Sequence, residues 1–105
     1  MSGYHSCMAA YVIVNIEITD PVRYAEYVQV AGAAVAQYGG EYLARGGRAE
    51  RLEGEWEPKR LVVLRFDSLE RAKDWWSSTE YAGPKALRQS ASKTNMIIVD
   101  GVAPV

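Results

Sequence analysis

From Ala10 to Ile18 two sets of side chains alternate. Val12, Val14, Ile16 and Ile18 form one wholly apolar set, while Tyr11, Ile13, Asn15 and Glu17 form a mixed one. Side chains alternate across a strand and the run is rich in β-branched residues, so the pattern predicts a strand with apolar groups on both sides. The period then changes. Tyr24, Tyr27, Val28, Ala31, Val35 and Tyr38 recur at three and four, the spacing of a helix with one buried side. Asp20 and Pro21 start it, since Asp accepts from a free N–H of the first turn and Pro suits the first helical position. Gly39-Gly40 ends it, because glycine tolerates the left-handed backbone of a C-cap. The small residues at 31–34 permit close approach to a sheet, although Gly32 weakens the helix.

Residues 41–44 read as a second strand, interrupted by Gly46-Gly47 and continued through 48–52 after a bulge. A loop with Pro58 follows. Arg60–Phe66 is a third strand, and its run Leu61-Val62-Val63-Leu64 implies burial on both faces. Asp67 and Ser68 are candidate N-caps, and Glu70 completes a capping-box-like pattern with Asp67. A helix runs over 69–76 and breaks at Ser77-Ser78-Thr79. Residues 81–90 are partly helical, interrupted by Gly83-Pro84. Residues 96–99 form the last strand, and Asp100-Gly101 closes the domain.

The order β-α-β-β-α-β predicts an α+β, ferredoxin-like fold, with two helices on one face of a four-stranded antiparallel sheet. The chain then has no layer left for the other face, yet two strands are apolar on both sides. A second copy laid sheet to sheet would cover it and enclose a barrel-like space, so a homodimer is expected. The alternatives are a monomer with an apolar sheet face and a sheet that binds another protein.

Length and composition narrow the class. A chain of 105 residues has room for one domain, placed at residues 9–102, with a flexible tail at 1–8 and a short C-terminal tail at 103–105. Met8 is an alternative start. The net charge is −1 with no basic stripe, which speaks against nucleic acid. No apolar stretch is long enough for a membrane span, and the first residues lack the charged and apolar regions of a signal peptide. A lone cysteine, Cys7, makes no internal disulfide and fits a reducing cytoplasm. His5 and Cys7 are two metal-type ligands where a structural zinc site needs about four. No metal and no cofactor are expected.

An ordered series of residues carries a family resemblance. It comprises Tyr11-Val12-Ile13-Val14, Asp20-Pro21, Tyr24 with Tyr27, Gly39-Gly40 and Arg45-Gly46-Gly47. It continues through Leu52-Glu53-Gly54-Glu55-Trp56, Pro58-Lys59-Arg60-Leu61-Val62 and Phe66. It ends with Ala72, Trp75-Trp76, Ser78-Thr79-Glu80-Tyr81, Arg88 and Ile98-Val99-Asp100-Gly101. Together these resemble the domain-of-unknown-function 1330 family of the dimeric α+β barrel superfamily, over nearly the whole chain. Trp76 and Thr79 depart from the tyrosine and proline usual in the family. The resemblance implies the fold and raises the expectation of a small-molecule cavity beside the sheet. It assigns no reaction, because related barrels include cofactor-free monooxygenases, isomerase-like proteins and haem enzymes.

The candidate binding residues are Asn15, Arg45, Trp76, Ser78, Tyr81 and Arg88. Arg45 precedes two glycines, and its planar fork suits a carboxylate or enolate. A structural ion pair with Glu41, Glu50 or another carboxylate is the other reading. Trp76 offers an apolar wall, and Ser78 and Tyr81 offer hydroxyls, around the helix break. Ser78 equally suits an N-cap, Tyr81 can pack its ring, and Arg88 can hold the last carbonyls of its helix. Asn15 and Arg65, polar in apolar strands, each mark a pocket or an internal hydrogen bond. Tyr24, Tyr27, Tyr38 and Tyr42 read as core and interface. With no histidine in the domain body, triads built on His and haem ligation by His are excluded there. The expected function is a small-molecule pocket for an anionic or carbonyl-bearing ligand. A cofactor-independent isomerase, lyase or oxygenase fits it, as does a non-catalytic binding or assembly domain.

Overall fold

A computed structural model describes residues 8–103; the metal-type pair His5 and Cys7 and most of both tails lie outside them. β1 (Ala10–Ile18) pairs antiparallel with β3 (Arg60–Phe66) on one side and with β4 (Ser92–Asp100) on the other. β2 (Glu41–Arg45) pairs antiparallel with β3, so the sheet order is β2-β3-β1-β4. The connections are α1 (Pro21–Gln37) between β1 and β2, and α2 (Leu69–Trp76) followed by α3 (Thr79–Ala91) between β3 and β4. This is the ferredoxin-like arrangement the patterning predicts, with its second crossover split into two helices.

The alternation of β1 sorts the two faces. Ala10, Val12, Val14 and Ile16 are buried beneath the helices, together with Val62, Leu64 and Phe66 of β3. Trp75 of α2 anchors this layer, its ring 5.3 Å from Phe66 and 4.4 Å from Tyr81 between centroids. Burying such side chains contributes roughly 1.5–3 kcal/mol each. On the outward face, register places Ile13 between Val63 and Ile97, and Tyr11 between Arg65 and Val99. Ile97 is 59% exposed and Val99 44%, so an apolar patch faces outward.

The helix starts follow local chemistry. Asp20 Oδ1 accepts from Arg23 N at 3.1 Å, with Pro21 in the first turn. Ser68 caps α2 by accepting from Arg71 N, and Ser78 caps α3 by accepting from Tyr81 N. The capping box between Asp67 and Glu70 does not form, because Ser68 and not Asp67 is the N-cap, and Asp67 accepts from Arg65.

Three expectations are corrected. β2 ends at Arg45, and residues 48–52 do not resume it. Arg48, Glu50, Arg51 and Glu53 give that stretch no apolar face to bury, and its exposed pairs, Arg48–Glu50 and Arg51–Glu57, are local. β4 begins at Ser92, four residues before the apolar run, because ladder pairing with β1 holds its polar residues as firmly as apolar ones. α3 runs through Gly83 and Pro84 without a break. Pro84 is its sixth residue, so one backbone bond is lost, and Gly83 has no side chain to meet the proline ring.

Candidate functional site

Between the sheet and the helices lies a narrow cavity. Its total void is about 390 Å³ including the opening, but only about 20 Å³ admits the centre of a water-sized sphere. That is room for about one water, so a larger ligand requires lining side chains at the opening to move.

What lines it is unusual for an interior. Four tyrosines, Tyr24, Tyr27, Tyr42 and Tyr81, and three arginines, Arg45, Arg60 and Arg88, face the space, and no carboxylate or histidine does. Helical spacing brings Tyr24 and Tyr27 inward from α1, with rings 5.5 Å apart. A β-bulge between Tyr42 and Ala44 puts Tyr42 and Arg45, three residues apart, on the same inward side of β2, opposite Leu64 and Val62.

Among the described residues, Arg45 makes none of the ion pairs open to it from the sequence. Glu41 lies 3.9 Å from Arg65 and Glu50 pairs with Arg48, while Arg45 donates to the carbonyl of Val28 at 3.0 Å and lies 4.2 Å over the Tyr42 ring. The glycine after it serves a second arginine. Gly46 sits at φ +72, and a Cβ there would collide with Arg60 Nη1. Alanine would be strained in backbone and would displace that guanidinium. Arg60 in turn donates from Nε to Tyr24 Oη at 3.1 Å.

Arg88 is the most enclosed of the three, 4% exposed. Its Nε donates to Tyr81 Oη at 3.3 Å, and Tyr81 Oη lies 2.7 Å from Tyr27 Oη. Since arginine only donates, Tyr81 oxygen accepts there, and its own proton is free to go to Tyr27. Burial, then the neighbouring Tyr81, holds Tyr27 far above the usual tyrosine range. Burial also raises Tyr42, partly opposed by Arg45. Both stay phenols at neutral pH and act as hydrogen-bond donors, not bases. Trp75 Nε1 at the same cavity is buried without a hydrogen-bond partner among the described residues.

The remaining candidates fall elsewhere. Asn15 is on the outward face, where its Oδ1 accepts from Lys59 N at 2.8 Å, an internal bond that straps the β2–β3 loop. Arg65 is likewise outward, paired with Asp67 and Glu41. Ser78 is a buried N-cap whose hydroxyl donates to the Trp75 carbonyl. Trp76 does not wall the cavity; it turns away, 42% exposed, beneath Lys85 Nζ at 3.6 Å. Of the six, the structure brings together Arg45, Tyr81 and Arg88. Sequence reasoning missed Tyr24, Tyr27 and Tyr42, which it read as core and interface, and Arg60, which it read only as the start of the third strand. The space this chain encloses lies under its own helices, whereas any space between two sheets belongs to an assembly of two chains.

The chain belongs to the family described as Domain of unknown function (DUF1330), which matches residues 9–102. Its ferredoxin-like α+β fold is shared with several solved structures. A protein of unknown function from Rhodopseudomonas palustris is similar at TM-score 0.75 with 14% identity, covering 93% of this chain and 85% of that one. SnoaB, a cofactor-independent oxygenase from Streptomyces nogalater, is similar at TM-score 0.64 with 8% identity over 93% of this chain and 97% of that one. A candidate antibiotic biosynthesis monooxygenase from Caulobacter crescentus reaches TM-score 0.57 with 17% identity, covering 94% and 93% of the two chains. At such identities the likeness is one of fold. No curated protein matches in sequence. Among the described residues no helix is long and apolar enough to cross a membrane.

Proposed function

We propose that this protein binds a small planar molecule that ionises, such as a phenol or enol, and holds its anion beneath the helices. The observation that carries the reading is three guanidinium groups among tyrosines with no carboxylate on the lining. Fixed positive charge beside an acidic ligand lowers its pKa and stabilises its anion, most strongly at buried Arg88 and least at exposed Arg45. Arg45 and Arg60 supply planar donors near the opening, and Tyr27 and Tyr42, kept as phenols, add neutral ones. With no carboxylate or histidine to remove a proton, reactivity comes from the ligand's own ionised form. Cofactor-independent isomerisation or oxygenation of such an anion fits this chemistry, and the fold shared with SnoaB supports it.

The protein is further proposed to act as a homodimer, joined through the outward patch around Ile13, Ile97 and Val99. Exposed apolar patches of this kind are characteristically covered by a partner. A second reading, a non-catalytic binding domain, draws on the narrowness of the cavity.

Arg45→Ala tests the reading. Hydrogen bonds to charged groups are worth about 1.5–3 kcal/mol, so affinity for 1-naphthol is expected to fall roughly tenfold to a hundredfold while melting temperature holds. Unchanged affinity, or collapse of the fold, overturns the role given to Arg45. Oxygen uptake with hydroxynaphthalenes then separates an oxygenase from a binding protein.

A further inference from the structure

Arg88 faces two spaces. One is the cavity just described; the other is an open groove of about 310 Å³ between α2–α3 and β4, lined by Trp76, Arg88, Gln89, Thr94, Met96 and Ile98. Met96 is shared as well, so these two side chains form the partition.

Arginine keeps its charge at any pH a protein survives, so burial cannot neutralise it. It has five N–H bonds to satisfy, and only Nε has a partner among the described residues. No carboxylate there lies within ion-pair reach of it, and its Nη groups are not among the sealed, unpartnered atoms. They therefore open onto the spaces it lines. A charge enclosed without a counter-ion is costly, and an apolar residue of similar volume would serve the fold better. The groove adds no acid of its own, and Lys85 lies over the Trp76 ring nearby.

We infer that Arg88 is the anchor of a ligand carboxylate that arrives through the groove, with the ligand's apolar or aromatic body against Trp76, Met96 and Ile98. The ligand class is thus an aromatic or conjugated carboxylic acid. Its two oxygens match the paired Nη donors, and Tyr81 holds the guanidinium in orientation from Nε. Met96, unbranched and adaptable, is the side chain that moves to connect groove and cavity. This rests on the reading that the protein takes a small anion, and adds where the acid group sits.

The test is thermal shift and titration calorimetry with 1-naphthoate and 1-naphthol on wild type, Arg88→Met and Arg88→Lys. Binding to the folded state alone raises the melting temperature, so millimolar 1-naphthoate is expected to add roughly 3 °C or more to wild type. Arg88→Met is expected to melt at or above the wild-type temperature without ligand and to lose the naphthoate response. Arg88→Lys keeps the charge but not the fork, and is expected to bind naphthoate about tenfold more weakly. A naphthoate response that survives in Arg88→Met, or an Arg88→Lys affinity equal to wild type, overturns the inference. Should Arg88→Met fail to fold, the lysine variant decides. Binding of naphthol without naphthoate overturns the anchor and leaves the cavity reading standing; binding of neither overturns both.

Discussion

On the outward face of the sheet, Arg65 lies 3.2 Å from Asp67 and 3.9 Å from Glu41. On the helix side, Arg45, Arg60 and Arg88 surround one cavity with no carboxylate on its lining. Both faces belong to the same strands, so strand chemistry does not explain the contrast. The outward face spends its polar groups on local pairing and leaves an apolar patch between them. The inward face buries the core yet has no acid on the cavity its three arginines share, and the proposed anion site rests on that contrast.

The largest break in this comparison is expected from Trp75→Ala. It removes the ring that packs on both Phe66 and Tyr81, and should cost about 3–5 kcal/mol in urea unfolding. A loss under about 1 kcal/mol would mean the inward face is far softer than its packing implies. Next is Ile13→Asp at the centre of the outward patch. Lost burial of one large side chain on each subunit, roughly 2–4 kcal/mol in all, should raise the dissociation constant of the proposed dimer by a factor of about 30 or more. Sedimentation across a micromolar concentration series measures it, and an unchanged series would place any interface elsewhere.

Tyr27→Phe should be milder, near 1 kcal/mol at neutral pH for the lost bond to Tyr81. Its pH dependence is more telling. Burial raises the folded-state pKa of Tyr27, so folding favours the protonated phenol. That contribution is complete below the unfolded value, about 10, and is lost as pH climbs beyond it. Melting curves of wild type should therefore steepen in their decline above pH 10, and those of Tyr27→Phe should decline less. Smallest is Arg65→Ala, expected to change stability by no more than about 1 kcal/mol because its partners are exposed. A larger loss would mean that the outward pairs matter as much as the inward arginines.

Much of the fold was legible in order. The period-two run of β1, the Asp20-Pro21 start, the Gly39-Gly40 stop and the four-residue apolar run of β3 each describe a neighbourhood a few residues wide, and each forms as the local rules require. Legibility failed where a distant partner decided. Ser92 to Asn95 are strand residues because β1 offers them a ladder, and nothing in their own polarity says so. Pro84 stays helical because the helix around it is anchored by the buried side chains of Tyr81, Arg88 and Ala91.

The site divides the same way. Arg45, Tyr81 and Arg88 stood out as polar groups in suggestive places, and Ser78 announced itself as a cap through its own sequence context. Tyr24 and Tyr27 did not stand out, because a tyrosine at helical spacing looks the same whether its hydroxyl meets water, a core or a cavity, and Tyr42 and Arg60 sit at strand positions whose polar ends meet the cavity only in the folded sheet. Sequence by itself determined which residues of β1, β3 and the helices turn inward, since backbone periodicity governs that, whereas on β2 a bulge after Tyr42 turned Arg45 inward against it. Only the tertiary structure decided that three arginines from β2, β3 and α3 converge with no acid among them. Charge compensation is a property of distances through space, and the chain order of these residues does not encode it.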